Sequence, residues 1–381
     1  MGAALVHFPR KQRYTEFKYQ TIFRVRAAST ANISLAIQAE SGDSFGGVTL
    51  ANGDIILIKN QTVASENGVY VVQVSGSPVR HASYDTAAEM YLAHIWVTAG
   101  TNINTRWFQT SVISNISTDA QVWTSTAPTF TFTVPQGIYQ IRSLIGCGGG
   151  GSGGRGGTGN DGTTRSGDGG GGGAGATPFM FSCVPVIPGD VLSISLGLGG
   201  AMTASSGVDG TSTVITGFDQ GYKIIIPGAV RGANGSNGGA AGGGALGGNA
   251  FVLTPNVFDI APGAGANGGG GATTNNNVTS GLSTNTYTHW VDTFSTPGTN
   301  GGGSGGGGGG AGGGGGGPSF KKGGNGGNGQ SNGASGTGGT GVDADYYGAG
   351  GGGGGGGREA GGGAQGGPGG FGGDGYLRFE Y

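Results

Sequence analysis

The chain has 381 residues, a formal charge of −2 and a charged fraction of only 10%. That length allows two or three domains, and the near-neutral balance argues against nucleic acid or another polyanion as the main partner. Met1–Val6 is apolar but is followed at once by Arg10, Lys11 and Arg13, which predicts neither a signal peptide nor a membrane span but a soluble protein made in a cytoplasm.

Residues 1–26 form a basic arm, with Arg10, Lys11, Arg13, Lys18, Arg24 and Arg26 against the single acid Glu16. Such an arm is expected to dock on a partner surface or to stay solvated. Residues 27–126 read as short strands: Ile55–Ile58, Val69–Val72, Tyr91–Thr98 and Thr105–Ser111, with one short helix over Asp85–Met90. Asn60, Asn67 and Gly68 suit positive φ, and Tyr70 and Trp107 suit a small core.

The segments Val25–Ile33, Asn52–Thr62 and Glu66–Tyr70, then Arg80, Asp85-Thr86-Ala87, Glu89, Val97–Thr101 and Asn104–Trp107, carry a resemblance over roughly ninety positions. In that order they resemble a module recurrent in tail fibres and tail-tip proteins of tailed bacteriophages. The Phe45-Gly46-Gly47 stretch departs from the pattern, where a plainer turn is expected.

The third segment, 127–381, opens with strands over Phe130–Val134 and Ile138–Ile145 and closes with Tyr376–Tyr381. Pairing between these ends would close the block into one domain. Between them further strands are expected at Phe179–Val186, Val191–Leu198, Thr213–Thr216, Tyr222–Ile226 and Phe251–Leu253. Of the 97 glycines, 88 follow residue 145, and the runs 301–317 and 350–357 are almost pure glycine. Glycine-rich chain is ordinarily flexible coil. It can also form polyproline-II-like threefold helices whose backbone groups bond sideways to neighbours, and strands at both ends of the block favour this ordered form. Collagen is excluded by the absence of a G-X-Y period, and one Arg-Gly-Gly at 155–157 is too little for an RNA-binding tract. The frame Thr131–Gly151, Ile187–Asp190, Gly197–Gly200 and the closing strand resembles the glycine-rich terminal domain of phage tail fibres. In composition it is also similar to the adhesin tip of T-even-type long tail fibres.

The fold class read from the sequence is therefore mostly β. A small N-terminal β (α+β) attachment module precedes a glycine-rich domain of β-strands and a polyglycine-II helix bundle. No metal or cofactor is expected, since His7, His81, His94 and His289 are scattered and no P-loop, HExxH or nucleophile elbow occurs. Cys147 and Cys183 are expected as buried free thiols, bridged only if two strands set them side by side. Glycan cleavage by carboxylates among Asp161, Asp168, Asp343 and Asp345 is a minor alternative.

Recognition is expected in the glycine-poor islands. These supply Tyr287, His289, Trp290 and Phe294, then Phe320, Lys321 and Lys322, then Asp343, Asp345, Tyr346 and Tyr347 as candidate receptor-binding residues. Trp290 and Phe294 could instead plug a small core. The resemblance implies a non-catalytic adhesin of the virion tail, attached through its N-terminal region to a hub or baseplate protein. Its distal partner would be a host surface glycan or outer-membrane protein. Fibres of this kind imply a homotrimer, although a glycine sandwich could close within one chain. The rival readings are a structural tail-tip or baseplate component and a cell-surface glycine-rich adhesin.

Overall fold

The computed structural model describes residues 13–158, 169–176, 179–201, 206–219, 221, 223–235, 323–328, 337–344, 347–357 and 365–381. Among these the protein is mostly β, with eighteen strands, one short α-helix and one 3-10 turn. No helix among the described residues is long and apolar enough to cross a membrane. The strand expected at Phe251–Leu253 and the run 301–317 lie outside the described residues.

The N-terminal module has two small four-stranded sheets. One is ordered β11 (Trp123–Thr124), β10 (Arg106–Gln109), β9 (His94–Val97), β2 (Phe23–Val25). The other is ordered β3 (Ala27–Ala28), β6 (Ile55–Ile58), β7 (Gly68–Val71), β8 (Val79–Arg80). Their cores gather Val25, Leu57, Val69, Met90, Ile95 and Trp123 on one side and Phe45, Leu50, Ile56, Ile58 and Tyr70 on the other. The helix α1 spans Ala87–Met90, opened by a capping box between Thr86 and Glu89. The strand expected from Tyr91 begins only at His94, because Leu92 takes a left-handed φ of 54°. The Phe45-Gly46-Gly47 departure is the tight turn of a hairpin between β4 (Ser44–Phe45) and β5 (Val48–Thr49). Both glycines there have positive φ, as a two-residue hairpin loop requires. Asn60 and Asn67 do not have positive φ. Asn67 is extended, and its side chain instead accepts from the Gln61 N–H at 2.9 Å and donates to the Gln121 carbonyl at 3.0 Å.

The glycine-rich domain starts as a β-sandwich. One sheet is ordered β1 (Tyr14–Phe17), β18 (Tyr376–Glu380), β13 (Gln140–Cys147), β14 (Phe179–Pro185). The other is ordered β12 (Phe130–Thr133), β15 (Val191–Ser195), β16 (Thr213–Thr216), β17 (Ile224–Ile226). Phe17, Phe132, Ile141, Leu144, Leu192, Ile194, Ile215, Leu377 and Phe379 form its core. The expected pairing of the two ends of the block is the β13–β18 ladder.

The basic arm is part of this sandwich. Strand β1 covers the edge of β18, and Phe17 stacks edge-on with Phe130, Phe132 and Phe379. The module is thus inserted between the first and second strands of the sandwich, so the division into 1–26, 27–126 and 127–381 does not follow the packing.

Most sandwich strands run straight into glycine tracts without changing partner. Ser143 on β13 pairs with Glu380 on β18, and seven residues on, Gly150 donates to the Gly373 carbonyl at 2.9 Å. Leu144 pairs with Phe181 on β14, and Gly151 likewise bonds Ala174 at 2.9 Å. On the second sheet Thr213 pairs with Ile226, and Gly210 then bonds Ala229 at 2.8 Å. Each forward step on one chain is matched by an equal step back on the other.

What changes is the direction of the amides. In a strand successive N–H groups alternate between two neighbours. In tract 148–157 they serve three in turn: Gly149 and Ser152 bond Thr211 and Val208, Gly150, Gly153 and Gly156 bond Gly373, Gly370 and Gly367, and Gly151 and Gly154 bond Ala174 and Gly171. The carbonyls repeat in the same way. Those of Gly149, Ser152 and Arg155 accept from Ala229, Gly232 and Gly235, those of Gly151, Gly154 and Gly157 from Gly351, Gly354 and Gly357, and that of Gly150 from Gly200. Six segments of the same chain therefore surround this tract, with a repeat of three residues.

Such contact leaves no room for side chains. A methyl added at Gly153 would land on the Gly352 carbonyl, and one at Gly354 on the Gly367 carbonyl. Gly153→Ala and Gly354→Ala are each expected to destabilise the protein by about 1–3 kcal/mol or more through overpacking, opposite in sign to the same change in a helix. Thermal melting of the full chain checks this.

Cys147 is buried, as expected, but Cys183 is exposed and both are free. Cys183 sits at φ 56°, where β14 switches which residues face the core, since both Phe181 and Val184 pack inward. An L-residue there costs about 1–2 kcal/mol, against about 0.5–1 kcal/mol for glycine's extra freedom in the unfolded chain. Cys183→Gly is therefore expected to stabilise by up to about 1 kcal/mol, read as a raised urea midpoint.

Candidate functional site

Tracts 148–157, 227–235, 323–328 and 349–357 run parallel, away from the sandwich, with Gly357 bonded to Gly157 and Gly235 to Arg155. The described parts of these tracts reach Thr158, Gly235, Asn328 and Gly357, all toward one end, which is termed distal here. Arg155 joins tracts at this rim. Its N–H donates to Asn234 Oδ1 at 3.0 Å, its Nε to the Gly366 carbonyl at 3.2 Å, and its Nη2 to Gln365. At the opposite end, Tyr381 donates to the Arg13 carbonyl at 3.0 Å.

Nine of the expected contact residues, Tyr287, His289, Trp290, Phe294, Phe320, Lys321, Lys322, Asp345 and Tyr346, lie outside the described residues. The other two, Asp343 and Tyr347, are engaged where the module meets the bundle. Asp343 pairs with Arg24 and accepts from the Phe371 N–H at 2.8 Å. The Arg24 guanidinium lies 4.3 Å over the Phe371 ring, which meets Trp96 edge-on at 4.8 Å. Tyr347 stacks on Tyr376 at 5.4 Å, and its hydroxyl reaches the Tyr19 carbonyl at 3.4 Å. Burial, then the nearby carboxylates of Asp374 and Glu16, raise the Tyr347 pKa. Both side chains hold the junction together and do not face outward from the distal end.

The same junction holds a charge cluster that the sequence did not suggest. Asp374 accepts from His94 Nδ1 at 2.7 Å and from the Gly199 N–H at 2.8 Å, with Arg106 at 3.7 Å. Arg106 also donates to the Gly199 carbonyl. His94 stacks on Phe108 at 4.3 Å, with Tyr19 edge-on. The one available signal was that Asp374 is a lone charge within a glycine tract.

An Asp–His pair resembles part of a catalytic relay, but here it is closed in. The His94 side chain has 0% exposure, and its Nε2 has no hydrogen-bond partner among the described residues. Burial pushes the Cys147 thiol up to about 12, which leaves it unreactive at neutral pH. A cavity of about 10 Å³ beside Asp374, lined by Gln20, Thr21, Ile22 and Tyr347, has room for one water and no more. Among the described residues no group of three His, Cys, Asp or Glu side chains could hold a metal. What the cluster does is fasten β9 and β10 to the base of the bundle.

Burial alone would raise the Asp374 pKa. His94, then Arg106 and the Gly199 N–H, outweigh it and hold the carboxyl below its usual value. Stability from this group is therefore present above the unfolded pKa of about 4 and is lost as pH falls through the lower folded value. Asp374→Ala is expected to cost about 3–5 kcal/mol by stranding its partners. Asp374→Asn should remove part of the acid dependence of melting below about pH 4, which thermal scans against pH check.

No family model matches this chain, and no curated protein matches it.

Proposed function

We propose that this chain is a tail-fibre or tail-tip protein of a tailed bacteriophage that binds a host-surface receptor without covalent chemistry. In this reading its tracts are polyglycine-II helices that act as a stiff support. The observation that carries it is the two-ended layout. Tracts 148–157, 227–235, 323–328 and 349–357 run parallel away from the sandwich, at whose opposite end Arg13 pairs with Tyr381.

A rigid scaffold that carries irregular binding segments is the usual arrangement for recognition. The tracts themselves present little but backbone, so discrimination between hosts falls to the islands that join them. Attachment to a hub or baseplate protein falls to the sandwich end and the basic segment preceding it, and the virion tail is the place of action. The resemblance of residues 25–107 to a tail-fibre module favours the same particle. The described bundle surrounds its own central tract and needs no second copy to do so. A trimer, if formed, would be assembled elsewhere on the molecule.

The test uses the full chain. Purified protein is expected to compete with phage for adsorption to host cells. Competition should be lost on cells stripped of surface polysaccharide if the receptor is a glycan, and on cells lacking the outer-membrane protein if it is a protein. Tyr287→Ala with Trp290→Ala should weaken competition at least about tenfold, the effect of truncating an aromatic anchor, with melting unchanged. Absence of competition by wild-type protein would reject adhesion and leave a structural tail component.

A further inference from the structure

Strand direction decides which residues meet at the sandwich end opposite the tracts. β13 and β15 run from that end toward the tracts, while β12, β14, β16 and β18 run back to it. The turns 134–139, 186–190 and 217–219 therefore gather there, beside Arg13 and Tyr381. Among the described residues the glycine-rich domain has seven exposed large apolar side chains. Three are Val208, Ile225 and Val342, and the other four, Tyr14, Tyr139, Ile187 and Val191, stand at this end. Exposed apolar residues scattered singly are ordinary, but a group of them inside a polar rim marks an interaction surface.

These side chains stand on backbone that is already fixed. Gln140 pairs with Pro185, and the Val186 N–H donates to the Tyr139 carbonyl at 3.0 Å, which sets Tyr139 beside Ile187. In the turn that carries Ile187 and Val191, the Ile187 N–H donates to Asp190 Oδ2 at 3.0 Å and the Asp190 N–H to the Ile187 carbonyl at 3.0 Å. Val134 ties that turn to the other sheet end, accepting from the Gly189 N–H at 2.9 Å and donating to the Asp190 carbonyl at 2.8 Å. Tyr139, 70% exposed, and Ile187 are thus presented to solvent with little backbone freedom left to lose on docking.

The rim is cationic. Tyr14 and Ser143 both pair with Glu380, so Arg13 and Arg142 lie on either side of Tyr381, and both are exposed. Lys223, just before β17, is exposed at the same end, and the sequence adds Arg10 and Lys11 within three residues of Arg13. Asp190 is engaged by the Ile187 N–H and Glu380 is buried against Arg378, so among the described residues Asp219 is the exposed acid here. We infer that, in the tail-protein reading proposed above, this end seats in an apolar cleft bordered by carboxylates on a partner tail protein. Tyr139 and Ile187 are the anchors, and Arg13 and Arg142 meet the acidic border.

Purified full chain added to phage particles that lack it tests this, with the chain retained on sedimented particles as the readout. Wild-type protein is expected to bind. Tyr139→Asp with Ile187→Asp should lower retention more than about tenfold, the effect of losing an aromatic anchor, with melting and competition for host cells unchanged. Arg13→Glu with Arg142→Glu should slow attachment and flatten its dependence on salt, as rim charges do. If the aspartate variant melts earlier, Tyr139→Ser with Ile187→Thr serves for the same comparison. Equal retention of wild type and a folded variant would overturn the inference and leave the tail reading intact, whereas wild type that is not retained would reject both. A wild-type oligomer in light scattering that these substitutions dissolve would overturn it in favour of a second copy of this chain.

Discussion

Everything in the glycine-rich domain follows from one contact, a backbone N–H bonded directly to the carbonyl of a neighbouring tract with no side chain between them. In the sandwich, facing sheets stand about 10 Å apart because side chains fill the gap. Beyond Cys147 the side chains disappear, and the continuations of the two sheets close until Gly149 bonds Thr211 across what was the core. The strands do not end so much as lose the spacer that kept the layers apart. Where a larger residue does occur in tract 148–157, it falls on one row, at Ser152 and Arg155, three residues apart.

This contact does little to stabilise the bundle by itself. Ordering a residue costs about 1–2 kcal/mol of backbone entropy, and glycine sits at the costly end of that range. A net hydrogen bond returns only about 0.5–1.5 kcal/mol, and glycine adds almost no apolar burial. The bundle therefore depends on being clamped. The sandwich core provides one clamp by fixing the register of every tract that emerges from it. The junction with the module provides another through Asp374, Arg106, His94, Asp343 and Arg24, charges spent on holding two bodies in a fixed relation.

Much of this was legible in the residues. Strand positions followed from apolar alternation, and the pairing of Gln140–Cys147 with Tyr376–Glu380 followed from two alternating strands at either end of a glycine block. The membership of Tyr14–Phe17 in the sandwich was hidden, because four residues carry little pattern and their partner lies at the other end of the chain. The Asp374 cluster was hidden for a related reason: its members come from three distant segments, and only the lone charge of Asp374 amid glycine marks any of them locally. Asp343 and Tyr347 stood out as polar and aromatic residues amid glycine, but aromatic and charged side chains serve an internal junction as well as an exposed one. Asn67 shows the same ambiguity, since an asparagine suited to a left-handed turn is equally suited to bonding two backbones.

The pairing of Tyr14 with Glu380 spans nearly the whole sequence, and β18 then lies between that strand and β13. Contacts of such separation must be closed against loop entropy before they return any energy, and chains rich in them reach the native state slowly. The same wiring slows the reverse process: β18 cannot leave that sheet without breaking ladders that tie together the beginning, middle and end of the chain. A protein built in this way relies for its persistence on a high barrier to unfolding as much as on equilibrium stability.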